Sequence, residues 1–146
     1  MVLKKYKINA DSIKMTTSLM AGNHQFYLDD SIEAGGEDKG MHPLNAFLGI
    51  LAGSLNNFAH IIATKKKFEL KGIEFNVEAQ LDPRVIEVED AVSPSFETIT
   101  IYAEVDTPES NKKIQELKKD TESRCPLFNL IIGSEIELES TWVKKS

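Results

Sequence analysis

Apolar and polar residues alternate along several short stretches of this chain, and one long stretch does not alternate at all. Ile13, Met15, Thr17 and Leu19 take every second position among polar or small neighbours, the period of a strand with two unlike faces. Gly22-Asn23 offers a turn, and Phe26 and Leu28 continue on a returning strand, so a hairpin is expected. Ile73, Phe75, Val77, Ala79 and Leu81 alternate with Glu74, Asn76, Glu78 and Gln80, and Asp82-Pro83 ends the run. Ile99, Ile101, Ala103 and Val105 repeat the pattern, and Ile136, Leu138, Ser140 and Trp142 repeat it again between glutamates. Between the middle two strands, Val85–Phe96 reads as a strand extension and a loop broken at Pro94.

The unbroken stretch is PLNAFLGILAGSLNNFAHIIA, from Pro43 to Ala63. Proline suits a first helical turn, where its missing N–H costs nothing, and the helix extends to Lys66. Such a helix is apolar on nearly every side, so it must be buried in protein or lipid. Its length approaches that of a membrane span. Ser54, Asn56, Asn57 and His60 argue against lipid, because their polar atoms need partners that hydrocarbon lacks. The remaining chain is too short to wrap the helix, so a partner subunit is expected. Gly49 and Gly53 cost helix stability by about 1 kcal/mol each relative to alanine; close approach of another helix would offset that cost.

Two shorter helices are expected near the end. Thr107-Pro108-Glu109 has a capping hydroxyl followed by proline and starts a charged helix to about Arg124. Cys125-Pro126 interrupts it, and Pro126 opens a short apolar helix that Gly133 stops. The acidic, glycine-rich segment from Asp29 to Met41 has no period and reads as a mobile loop. No linker or repeat divides the chain, so a single α+β domain spanning 1–146 is expected.

Composition narrows the function. The 146 residues carry a net charge of −6 and no basic patch, so nucleic acid is not an expected partner. A single cysteine, Cys125, excludes an internal disulfide, and the N-terminus lacks an apolar signal core; a cytoplasmic protein is expected, not one bound to a membrane. The three histidines are scattered, so neither metal nor cofactor is expected.

The order of these elements, with GMHPLNAFLGILAGSLNNFAHIIATKKKFELKGIEFNVEAQLD and RCPLFNLI as its strongest pieces, resembles the OsmC/Ohr family of osmotically inducible and organic hydroperoxide resistance proteins. The resemblance implies an intertwined homodimer, with antiparallel sheets packed on two long central helices. It also implies a thiol peroxidase with two cysteines, one attacking the hydroperoxide and one resolving it as a disulfide. A glutamate after the helix-opening proline and an N-terminal arginine support the attacking thiolate.

This chain departs from that pattern. The position of the attacking cysteine, eleven residues after Pro43, is Ser54. Leu44 and Asn45 stand where the glutamate belongs, and the only arginines are Arg84 and Arg124. Cys125 alone remains, as a vestigial resolving thiol or a reactive one beside Arg124 at a helix N-terminus. A serine has no redox cycle comparable with a thiolate's; it could act as an acyl nucleophile only with a base in reach, and since His60, six residues on, lies off Ser54's face of the helix, His42 and His24 are the candidates.

The expected function is therefore an OsmC-like, stress-related protein without the two-cysteine site. It would bind a small apolar molecule at the dimer interface near Leu44, Phe47, Asn57 and Phe58. Asn56, Asn57 and His60 either line that pocket or satisfy one another and backbone groups across the dimer, and Glu37 and Asp38 are acids near its mouth or solvated loop charge. The enzyme alternative is a one-cysteine thiol peroxidase using Cys125 on organic hydroperoxides. A Ser54 hydrolase is a third reading.

Overall fold

The computed structural model describes residues 1–90 and 92–146. The chain divides into two compact units, residues 1–47 and 48–146.

The first unit is a three-stranded antiparallel sheet, Asn9–Ile13 (β1), Thr16–Ala21 (β2) and His24–Leu28 (β3), followed by a loop and the start of the long helix. The alternation from Ile13 to Leu19 is not one strand. Ile13 pairs with Thr16 across a tight turn, and Lys14 takes a positive φ of 53° to make it. The turn at Gly22-Asn23 is where the sequence places it, with Ala21 paired to His24.

The acidic loop is organised around Asp29, which is 1% exposed. Its carboxylate accepts hydrogen bonds from the Thr16 hydroxyl at 2.8 Å and from the N–H groups of Asp30, Glu37 and Lys39 at 2.8, 3.3 and 3.2 Å. Two glycines permit the tight path. A Cβ on Gly36 would lie 2.2 Å from the Asp30 carbonyl oxygen, and one on Gly40 would lie 2.1 Å from that of Tyr27. The expectation of a mobile loop therefore gives way to a segment tied to β2 and β3.

The second unit contains most of the long helix Pro43–Lys66 (α1) and the strands Gly72–Leu81 (β4), Phe96–Asp106 (β5) and Glu137–Lys144 (β6). The helices Asn111–Arg124 (α2) and Pro126–Ile132 (α3) lie between β5 and β6 in the chain. β5 is central: Ile99, Ile101, Ala103 and Val105 are all fully buried. One side of α1 supplies Leu51, Leu55, Ala59, Ile62 and Ala63 to the core, where α2 adds Ile114 and Leu117 and α3 adds Phe128 and Ile131. Burying each Leu or Ile side chain fully contributes roughly 1.5–3 kcal/mol. Ala103 is small because its neighbours are large. It pairs with Phe75 on one side and Trp142 on the other, and those rings meet edge to face at 6.1 Å and 87°.

Three sequence expectations are corrected here. β6 runs parallel to β5, so the second sheet is mixed; the helices α2 and α3 carry the chain back across the sheet, as a parallel connection requires. α2 starts later than Thr107-Pro108: Ser110 is its cap, accepting from the Lys113 N–H. Thr107 instead donates to the Glu69 carbonyl and accepts from the Glu109 N–H, which fastens β5's exit to the segment before β4. The expected extension after Leu81 is a single 3-10 turn, Pro83–Val85, capped by Asp82; Ala91, within the expected loop, lies outside the described residues.

Candidate functional site

Ser54 and Cys125 are brought together from 71 positions apart. Ser54 sits on α1, half-buried, one position before core residue Leu55. Cys125 is the junction between two helices. The residue before a proline is biased out of the helical region, and Cys125 takes an extended conformation, φ −79° and ψ 114°. It thus ends α2 and caps α3, its Sγ accepting from the Phe128 N–H at 3.5 Å. The Ser54 Oγ and Cys125 Sγ lie 3.2 Å apart, and either atom can donate.

The junction is braced by residues that the sequence reading did not single out. Asn129 Nδ2 donates to the carbonyls of Glu122, Ser123 and Cys125, satisfying the open end of α2. Glu122 accepts from Ser140 of β6 at 2.5 Å and pairs with Lys118 at 3.0 Å. An asparagine three to four residues past a helix-breaking Cys-Pro was the available signal for this brace.

The thiol is 0% exposed. Arg124 lies next to it in sequence, but its guanidinium engages Asp120 and Ser123. Arg84 is occupied too, binding Asp82 through both Nε and Nη2. Its hydrogen bonds are the main cause holding the Asp82 carboxyl at about 2, below the usual range. Among the described residues no hydrogen bond joins the His60 ring to Ser54. His42 caps α1, its Nδ1 accepting from the Leu44 N–H at 3.0 Å, with its Nε2 3.6 Å from Asp30.

The remaining expected site residues are dispersed. In the first unit, Leu44 is half-buried and Phe47 is 41% exposed. In the second, Asn57 is exposed and Phe58 packs on the core beside Leu55 and Phe128. Asn56, Asn57 and His60 make no side-chain hydrogen bond among the described residues. Glu37 faces Thr16 and Lys39, while Asp38 is exposed with a φ of 57°. No group of three or more metal-ligating side chains occurs among the described residues.

The family profile for OsmC-like protein matches residues 36–141. The chain belongs to the OsmC family. Three solved structures illustrate its fold. An OsmC-like protein from Mycoplasma pneumoniae is 23% identical, with a TM-score of 0.84 over 98% of this chain and 99% of that one. An organic hydroperoxide resistance protein OsmC from Legionella pneumophila is 17% identical, with a TM-score of 0.69 over the whole of both chains. A putative organic hydroperoxide resistance protein from Vibrio cholerae, with captopril bound in one of its active sites, is 14% identical with a TM-score of 0.66, over 99% of this chain and 93% of that one. No curated protein matches the sequence. The α+β, OsmC-like architecture expected from the sequence is thus the one observed.

Proposed function

We propose that this OsmC-family protein is a cytoplasmic, stress-related homodimer that has lost the two-cysteine organic hydroperoxide reductase site and binds a small, partly apolar molecule at the subunit interface. The observation that carries this reading is the 3.2 Å contact between Ser54 and Cys125. By the family resemblance these are the positions of the attacking and the resolving residue, with oxygen in place of the attacking sulfur. A hydroxyl there can hydrogen-bond the thiol but cannot be oxidised to a sulfenic acid and trapped. Leu44 and Asn45 give no carboxylate near the start of α1, and both arginines are held by aspartates.

The interface half of the reading rests on α1. Ile50 and Ile61 are about half exposed, and a Cβ on Gly49 or Gly53 would meet nothing within 4 Å. Among the described residues nothing therefore accounts for two glycines in the middle of a helix. A second copy of α1 would cover this face, in keeping with the dimer that the family resemblance implies.

Steady-state reduction of cumene hydroperoxide with a dithiol tests the proposal. Turnover should be very weak and unaffected by Cys125→Ser, because the thiol is fully buried. Brisk turnover abolished by Cys125→Ser would overturn it and establish the one-cysteine alternative. In that case Cys125 would be oxidised to a sulfenic acid as the hydroperoxide is reduced to its alcohol, and external thiol would restore it.

A further inference from the structure

We propose that the cleft on one face of the first sheet binds a small organic ammonium, a cation with an apolar or aromatic body. Asp11, Ser18 and Tyr27 lie in one row across β1, β2 and β3, and Ile13 and Thr16 pair in the next row. Strand residues two apart share a face, so these five side chains form one floor. Glu37 and Lys39 stand over it as a wall. Together they enclose a cavity of about 550 Å³, within the usual range for small-molecule sites.

The wall is fixed in advance. The four hydrogen bonds to buried Asp29 tie residues 30, 37 and 39 to Thr16, and Gly36 and Gly40 hold positions that no side chain fits. A site built on such a clamp does not have to order its loop when it binds.

The charges select the ligand. Glu37 is already engaged by Lys39 at 3.2 Å and by the Thr16 hydroxyl at 3.3 Å. Asp11 makes no side-chain hydrogen bond or ion pair among the described residues, so the lining carries one uncompensated negative charge. Beside it Ile13 is 77% and Tyr27 45% exposed, large apolar surfaces left open to water. An ammonium facing Asp11, with its body on Ile13 and the Tyr27 ring, satisfies both features. The ring face adds cation–π attraction for a charge brought near it. None of this involves Ser54 or Cys125.

Titration of the full chain with benzylamine, followed in amide nitrogen–proton spectra, tests the site, with benzyl alcohol as the uncharged analogue. Benzylamine should shift signals from β1, β2, β3 and residues 37–39, and should bind about fivefold or more tightly than the alcohol, about 1 kcal/mol on the affinity scale. Asp11→Asn should remove that preference while leaving the alcohol unchanged. Raising the ionic strength from about 0.05 to about 0.5 M should weaken only the amine in the unaltered protein. Equal affinity for amine and alcohol, or shifts confined to β4–β6, would overturn the proposal.

Discussion

At 3.2 Å, the Ser54 hydroxyl and the Cys125 thiol are close enough that exchanging one oxygen for sulfur should recreate a bonding pair. Ser54→Cys should therefore form a disulfide with Cys125 under mild oxidant, and mass spectrometry of the oxidised variant should find no free thiol. Two free thiols would show that the backbones stand too far apart, beyond about 7 Å between α-carbons. Asp29 permits a second test at the same scale. Burial pushes its carboxyl up, but the hydrogen bonds from Thr16, Asp30, Lys39 and Glu37 outweigh burial and leave it below the ordinary aspartate value. A carboxyl lowered on folding adds stability above its unfolded value and loses it as pH falls through the folded one. The amide signals of Asp30, Glu37 and Lys39 should thus titrate together, with a midpoint below that of an ordinary aspartate; a midpoint above the ordinary one would contradict the clamp. The sequence could show that Asp29 precedes a run of glycines. It could not show that one carboxylate collects three backbone N–H groups, because those donors are brought together only by the folded path of the loop. Ser54 and Cys125 were legible as a pair only through the family resemblance, since no local pattern links positions 71 apart.

Among the elements, those with a strong period were readable. α1 begins at Pro43 and ends at Lys66, β4 and β5 follow their alternations, and Pro126 opens α3. The failures share a cause, in that a local pattern was compatible with two structures. The alternation from Ile13 to Leu19 spans a two-residue turn because the face-to-face period resumes after Lys14 and Met15. Thr107 has the chemistry of a cap, but tertiary contact with Glu69 draws its hydroxyl away and leaves Ser110 to start α2. The direction of β6 was also hidden. An alternating strand reads the same parallel or antiparallel, and only the crossover through α2 and α3 decides it.

At the scale of the whole molecule, the proposed dimer is tested on α1. Among the described residues the methyl groups of Gly49→Ala and Gly53→Ala meet nothing within 4 Å, so helix propensity alone predicts a gain of up to about 1 kcal/mol each. With a second α1 packed on that face, the added methyl groups would instead collide. We expect sedimentation at micromolar concentration to find the unaltered protein as a dimer and Gly53→Ala shifted towards monomer. A monomeric parent, or a variant that is more heat-stable at unchanged mass, would remove the homodimer from the proposal.

The chain's only tryptophan, Trp142, lies on β6, the last strand, 2% exposed and edge-on to Phe75. Intrinsic tryptophan emission is consequently a local dye for residues 48–146. It brightens or reddens when the final strand leaves the core of that unit. Residues 1–47 hold no tryptophan, so their unfolding is followed through amide signals, and a tryptophan melt reports directly on the unit that carries β6.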